Sequence, residues 1–130
     1  MKQPIWIELS EALVMHDHAL TEHGGREGMR DKGMLESALA RPKNLQAYSK
    51  KGVSLAQLAA AYAFGIARNH PFVDGNKRTA LIVSFTFMEL NGLKVEAPPE
   101  NTYLTFLDLA EGKLSEQGLA DWLQRHAVPI

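Results

Sequence analysis

Ten consecutive residues, His70–Thr79, read HPFVDGNKRT and crowd together side chains that could carry chemistry. They include a histidine, a carboxylate, a glycine, an amide and two adjacent cations. The cations, Lys77 and Arg78, fall in the predicted first turn of a helix, where the helix dipole opposes each positive charge by roughly 0.3–1 kcal/mol. Because a bound polyanion would explain cations at that place, the stretch indicates a phosphate-binding site.

The other polar residues of the stretch fit phosphoryl chemistry. Asp74 lies just upstream of the cations and could hold Mg²⁺ against the phosphates, while Gly75 would let a ligand approach the backbone. His70 could take a proton from an acceptor hydroxyl, since histidine titrates near neutral pH. Arg68 could add a phosphate contact, or it could be a helix arginine whose head simply reaches water. Each residue alone is commonplace, so the hypothesis depends on their combination.

Two helices that are apolar nearly all round are predicted to flank the stretch. Ser54, followed by Gln57 three residues later, opens the first, which runs to about Asn69 and is stopped by Pro71. The second runs over about Asn76–Leu90. Helices of this kind belong at the centre of a bundle, so the motif is expected in a loop at the amino end of a buried helix.

The remaining segments predict shorter elements and an all-α fold of one domain, residues 1–130. Pro42 is expected to end a short helix capped by Asp31, and residues 42–53 are predicted to form an exposed flap that could dock an extended target segment. The other predicted elements are a strand or extended lead-in at 5–7, a helix from Glu11 to about His23, the short helix at 33–41, a strand at 93–95, and helices at 100–111 and 116–127, the last capped by Ser115.

Composition limits the classes of protein to consider. The 130 residues are 45% hydrophobic and 22% charged, as expected of a globular protein, and the net charge of −1 provides no basic field for nucleic acid. The chain has no cysteine, which excludes disulfides and thiolate metal sites. No secretory signal or apolar run of membrane-spanning length is found, so a cytoplasmic location is expected.

The motif resembles the signature of the Fic/Doc family, H-P-F-x-[DE]-G-N-G-R-x-x-R. The sequence departs from that signature at two positions: Lys77 stands where the signature has glycine, and Leu81 stands where the signature has arginine. In both departures it is similar to the Doc (death-on-curing) branch, H-x-F-x-D-A-N-K-R-T-A-L, whereas Gly75 is Fic-like. The segment 16–42, HDHALTEHGGREGMRDKGMLESALARP, also looks Doc-like. The resemblance covers about residues 9–95 and implies a Fic/Doc-type bundle with two central buried helices.

The resemblance also implies the toxin of a bacterial toxin–antitoxin pair, which uses ATP and Mg²⁺ to modify a Ser/Thr hydroxyl of a protein. It casts His70 as general base or its orienting equivalent, Asp74 as the metal ligand, and Asn76, Lys77 and Arg78 as the phosphate cradle. Doc proteins transfer the γ-phosphate, with the translation factor EF-Tu as target and arrest of translation as the result, whereas Fic enzymes transfer AMP. A lysine in place of glycine favours γ-phosphate transfer, and AMP transfer remains the alternative.

Inhibition is expected to come from a separate protein. Self-inhibited Fic proteins carry [ST]-x-x-x-E-[GN], whose glutamate pairs with the last arginine of the motif. Three glutamates of this chain precede Gly or Asn, but none has Ser or Thr four residues earlier, and Leu81 removes the arginine. The resemblance therefore implies a Phd-like antitoxin acting in trans, with no nucleic-acid or membrane partner.

Three other classes of protein are alternatives to this prediction. A metal-dependent hydrolase is suggested by His16-Asp17 with His18 and His23 nearby, although no second ligand set with suitable spacing appears, and these histidines fit a helix surface or loop-facing structure better. A non-catalytic helical interaction domain stays open. A DNA-binding regulator is disfavoured because no helix carries a basic recognition face.

Overall fold

The computed structural model describes residues 3–130, and over this range the fold is all-α, as predicted. No helix of this range is long and apolar enough to cross a membrane. The elements in chain order are α1 (Leu9–His23), α2 (Lys32–Tyr48), α3 (Leu55–Asn69), α4 (Asn76–Leu90), β1 (Leu93–Val95), α5 (Pro99–Ala110), α6 (Glu116–His126) and β2 (Ala127–Pro129).

The central helix is α3, which packs against α2, α4, α5 and α6. Its first turn has the predicted capping box: the Ser54 hydroxyl accepts a hydrogen bond from the Gln57 N–H, and the Gln57 side chain accepts one from the Ser54 N–H. Alanines fill much of its surface and allow neighbouring helices to come close. At Gly65 an added Cβ would lie 3.0 Å from the Cα of Ala38 on α2, so this crossing leaves no room for a methyl group.

Helix α4 lies beside α3 and buries one face, which includes Val83 and Phe87. Leu81 and Phe85 on another face are only half-buried. The prediction of two neighbouring apolar helices at the centre is therefore confirmed for α3, whereas α4 keeps one apolar side next to a surface groove.

Both ends of the described chain are tied to the carboxyl end of α4. Residues 5–7 form an extended lead-in and no strand, and the side chain of Asn91 exchanges two hydrogen bonds with the backbone of Ile5 (2.8 and 3.0 Å). The buried Tyr62 hydroxyl accepts a hydrogen bond from the Ile7 N–H (2.9 Å), and burial raises the pKa of Tyr62 to about 12. The predicted strand β1 pairs antiparallel with β2, which the sequence did not reveal.

The prediction for the segment around Pro42 was wrong. Helix α2 does begin after the Asp31 cap, whose carboxylate accepts a hydrogen bond from the Met34 N–H, but it continues through Pro42 to Tyr48. The proline ring is buried with Leu39 on the core side of the helix, and this burial offsets the loss of one backbone hydrogen bond. The expected flap is thereby reduced to the short link 49–53, so a strand-docking flap over 42–53 is not present.

Candidate functional site

The motif loop joins α3 to α4 and includes two residues with positive φ, His70 and Gly75. Helix α3 ends at Asn69, close to the end near His70 that Pro71 predicted, and His70 follows as its C-cap in the left-handed conformation (φ 50°, ψ 57°). Pro71 and Phe72 are buried and anchor the loop in the core. Gly75 precedes the first turn of α4 with φ 80°, a conformation that side chains rarely adopt. The side chains of 73–78 are thus presented around the amino end of α4.

Asn76 braces this loop from inside. Its buried amide oxygen accepts a hydrogen bond from the Phe72 N–H (3.0 Å), and its amide nitrogen donates to the Phe72 carbonyl (2.9 Å). The same nitrogen lies 3.3 Å from Nδ1 of His70. Since an amide nitrogen can only donate, this contact favours the neutral imidazole tautomer with its hydrogen on Nε2. The side chain of Asn76 is therefore occupied in holding the loop and the imidazole.

Asp74 is held as an ionised carboxylate at the rim of the loop. Its oxygens accept hydrogen bonds from the backbone N–H groups of Arg26 (3.1 Å) and Gly75 (2.9 Å). Both bonds lower the pKa of Asp74, and the bond from Arg26 has the larger effect. Within residues 3–130 no group of three His, Cys, Asp or Glu side chains could hold a metal ion. Asp74 could thus give Mg²⁺ one carboxylate, and the other ligands would be phosphate oxygens and water, as is usual for this ion.

His16 of α1 supports the loop from below, so its role is structural. Its ring stacks on that of Phe72, with centroids 3.7 Å apart, and its Nε2 donates to the Asp74 carbonyl (2.8 Å). His18 lies on the surface of α1, 3.8 Å from Glu22. In the described part of the chain these histidines do not form a metal-binding cluster of the kind that a metal-dependent hydrolase would use.

A second loop, the bracket loop Gly24–Asp31, lies along the motif loop. The Pro71 carbonyl accepts hydrogen bonds from the N–H groups of Arg30 (2.8 Å) and Asp31 (2.9 Å), and the Gly28 carbonyl accepts one from Val73 (3.0 Å). The Arg30 guanidinium donates to the carbonyls of residues 69 and 70. This loop was not predicted as part of the site, although its three glycines, all with positive φ, are typical of a specially shaped turn.

The two cations of α4 lie at its amino end and have no anionic partner among residues 3–130. Neither Lys77 nor Arg78 takes part in any of the ion pairs formed within residues 3–130. The Lys77 ammonium lies 4.6 Å from the centroid of the Tyr103 ring. The backbone N–H groups of residues 76–78 find no acceptor in the described chain, as expected for a first helical turn. The site therefore combines two uncompensated cations with free N–H donors.

Two adjoining depressions meet at these cations. The motif cavity, about 330 Å³, is lined by His70, residues 73–78 and the end of α1. The neighbouring apolar groove, about 310 Å³, lies between α4 and α5 and shares Lys77 and Arg78 with the cavity. Its apolar lining includes Leu81, Phe85, Pro99, Tyr103 and Phe106.

The structure does not bring Arg68 to the motif cavity. Its guanidinium lies 5.5 Å from the centroid of the Phe64 ring, and it is the neighbour that a Cβ at Gly112 would meet at 3.4 Å. Arg68 lies in the last turn of α3, where positive charge suits the helix dipole. Its position thus matches the structural alternative considered for it, and the other motif residues are gathered around one cavity.

Comparison with known proteins gives three consistent results. The model of the Fic/DOC family matches residues 6–88. The protein kinase doc of Escherichia phage P1 is 36% identical over 119 residues, which cover 92% of this chain and 93% of that protein. The toxin Doc of Mycolicibacterium smegmatis (strain ATCC 700084 / mc(2)155) is 37% identical over 102 residues, 75% of this chain and 71% of that protein.

Proposed function

Because the chain belongs to the Fic/Doc family, we propose that it is the toxin of a bacterial toxin–antitoxin pair and transfers the γ-phosphate of ATP to a Ser or Thr hydroxyl of a protein. The observation that carries the chemistry is the pair Lys77 and Arg78, uncompensated at the amino end of α4 and directly beside His70 and Asp74. A triphosphate would supply the negative charge that this turn lacks.

In the proposed reaction the acceptor oxygen bonds to the γ-phosphorus while the bond from that phosphorus to the β–γ bridging oxygen breaks. ADP leaves with the electron pair of that bond, and the hydroxyl proton goes to the His70 imidazole. Mg²⁺ at Asp74 would neutralise charge on the phosphates when bound. Lys77, Arg78 and the N–H groups of the same turn would hold the phosphate oxygens in line, which is most of what phosphoryl transfer demands of a protein.

The tautomer of His70 adds a condition to this scheme. To take the proton at Nε2, the imidazole must carry its own hydrogen on Nδ1, and Nδ1 then cannot accept from the Asn76 amide. The contact between them is long, 3.3 Å, and can be given up at small cost. We therefore expect the contact between Asn76 and Nδ1 to be lost when the acceptor hydroxyl binds at Nε2. His70 would orient the hydroxyl until the proton moves.

The apolar groove favours a triphosphate whose γ end lies in the motif cavity. Leu81 stands where Fic enzymes have their last arginine, and it lines this groove with Phe85 and Tyr103. Such a surface suits a nucleoside better than a phosphate chain. Gly75, the one feature that pointed to AMP transfer, has a backbone reason: its φ is positive, and a Cβ there would meet Leu20 at 3.2 Å. AMP transfer therefore remains the weaker alternative.

The partners follow from the resemblance. EF-Tu is the proposed protein substrate and a Phd-like antitoxin the proposed inhibitor, with arrest of translation in the cytoplasm as the outcome. In support, the phage relative is named a protein kinase and the mycobacterial one a toxin.

The test supplies a bacterial translation extract with purified protein and with ATP labelled at either the α or the γ phosphate. Label reaching a protein band only from the γ position is expected, and label from the α position would establish AMP transfer instead. His70→Ala should abolish transfer while keeping the fold. If neither label is transferred by folded wild-type protein, the enzymatic proposal fails and the non-catalytic interaction domain is left.

A further inference from the structure

Arg30 of the bracket loop holds the carboxyl end of α3 at the residue that carries the imidazole. Its Nε donates to the His70 carbonyl (2.5 Å) and its Nη2 to the Asn69 carbonyl (2.6 Å). These are two of the last carbonyls of the helix, which have no intrahelical partner. One planar guanidinium therefore fixes two consecutive peptide units, something that a single ammonium group cannot do with the same geometry.

His70 has a backbone that needs such a restraint. In residues 3–130 it is the one non-glycine residue with positive φ. The left-handed conformation is unfavourable for a residue with a Cβ and persists where surrounding contacts fix it. Pro71, which follows, has no N–H and cannot extend the helical hydrogen bonding past His70. The φ and ψ angles of His70 set the direction of its Cα–Cβ bond, so the direction of the imidazole depends on this backbone conformation.

The contacts of Arg30 are directed to the backbone of the motif and to no carboxylate. Arg30 takes part in none of the ion pairs of the described chain. Its own N–H also donates to the Pro71 carbonyl, so backbone and side chain of one residue bind three successive carbonyls, those of Asn69, His70 and Pro71. A surface arginine with only a solubilising role would not need this arrangement.

From this geometry we propose that Arg30 is a positioning residue for His70: it fixes the left-handed backbone that aims the imidazole into the motif cavity. The inference rests on the proposed function in that His70 acts there on the acceptor hydroxyl. Arg30 itself does not line the motif cavity. Its removal should change the turnover of the bound complex much more than the binding of ATP, because Lys77 and Arg78 belong to another helix.

The experiment compares wild type with Arg30→Ala and Arg30→Lys, and with Lys32→Ala as a control that removes a nearby exposed cation at the start of α2. Transfer from γ-labelled ATP gives kcat and KM. For Arg30→Ala we expect kcat to fall by about 10- to 100-fold, the scale of small misplacements in an active site, with KM for ATP within about twofold. Arg30→Lys should recover only part of kcat, and Lys32→Ala should behave as wild type.

A second readout does not depend on activity. The imidazole ¹⁵N shifts of His70, assigned by comparison with His70→Ala, report its tautomer, which the Asn76 contact biases toward hydrogen on Nε2. In Arg30→Ala these shifts should move toward the average of a free imidazole, while the thermal melt shows a folded protein. If Arg30→Ala does not fold, Arg30→Lys is measured in the same way.

The two readouts separate the positioning role from the proposed reaction. Unchanged His70 shifts together with unchanged kcat overturn the positioning role. If wild type transfers no phosphate at all, the proposed reaction fails, and the ¹⁵N shifts alone then decide whether Arg30 sets the imidazole. A drop in kcat matched by an equal drop in Lys32→Ala also overturns the inference, since it would reflect lost surface charge.

Discussion

Replacing Arg78 by glutamine removes the positive charge from the first turn of α4 while keeping most of the aliphatic stem. In the ligand-free protein that charge has no carboxylate partner within the described chain and opposes the helix dipole. The dipole effect amounts to roughly 0.3–1 kcal/mol, so Arg78→Gln should stabilise the free protein by that amount. For a chain of this size the midpoint of thermal unfolding would rise by about 1–4 °C.

Lys77 should respond differently, because its ammonium also lies against the ring of Tyr103. An exposed cation–π contact is worth about 0.5–1 kcal/mol, which roughly cancels the unfavourable dipole effect. Lys77→Gln is therefore expected to leave the free energy of unfolding nearly unchanged. Arg125, in the last turn of α6, provides the opposite control: there the dipole favours a cation, and Arg125→Gln should be slightly destabilising.

ATP should reverse the order of stability. At a concentration about 100-fold above its Kd, ATP with Mg²⁺ would stabilise the wild type by about 2.7 kcal/mol. Losing one charge-assisted phosphate contact, about 1.5–3 kcal/mol, would weaken binding by about 10- to 150-fold, so Arg78→Gln would lose about half to nine-tenths of this gain. Urea or thermal melts with and without ATP measure both effects, and 1 M NaCl should shrink the ligand-free difference.

A phosphate-binding role for Arg78 is refuted if Arg78→Gln destabilises the free protein by more than about 1 kcal/mol, since Arg78 would then be a structural residue. It is also refuted if ATP stabilises the variant as much as the wild type. Gain of stability without ligand combined with loss of the ATP effect is the pattern that a phosphate-binding role requires.

Three further outcomes follow from the packing and from the shifted pKa values of Asp74 and Tyr62. The pKa of Asp74 is lower in the folded protein than its unfolded value of about 3.8. Its hydrogen bonds therefore stabilise the protein above the unfolded pKa, and this stability is lost as the pH falls through the folded pKa. Asp74→Asn should make the free energy of unfolding, measured by urea melts between pH 2 and 6, depend less on pH. Gly65→Ala places a methyl 3.0 Å from Ala38 Cα and should lower the free energy of unfolding by about 1–3 kcal/mol; an unchanged or raised melting temperature would contradict that packing. Tyr62→Phe leaves the Ile7 N–H buried without an acceptor and should lower the free energy of unfolding by about 1–3 kcal/mol. The variant should also lack the tyrosinate absorbance that appears only near pH 12. In the wild type, the stability that depends on the protonated phenol is present below pH 10 and is lost as the pH rises through about 12.

Local signals were sufficient where a helix end or a turn is specified by the residues that form it. Ser54 and Gln57 located the start of α3, and Pro71 located its end, because capping and the proline restriction act within a few residues. The cations at the start of an apolar helix likewise predict a phosphate site from local sequence, since the dipole is a property of that helix alone.

Where the prediction failed, distant parts of the chain decide the outcome. Pro42 reads as a helix end, yet its ring is buried against the core, and that tertiary contact outweighs the local preference. The bracket loop meets the motif about 40 residues away in sequence, as in the bonds from Arg30, and nothing local announces such a pairing. Arg68 is close to the motif in sequence, but its guanidinium lies beside Phe64 and Gly112 and not in the lining of the motif cavity, so its phosphate contact stays a prediction.

Helix α4 separates the motif cavity from the chain's extremities by its full length. Ile5 is fastened to Asn91 at the far end of this helix, and the Ile130 N–H donates to the Gly92 carbonyl beside it (3.0 Å). Fifteen residues at 1.5 Å each put roughly 22 Å between that end and Gly75. A coupling to a sensor chip through a side chain near Ile5 or Ile130 should therefore leave the motif cavity facing the solution.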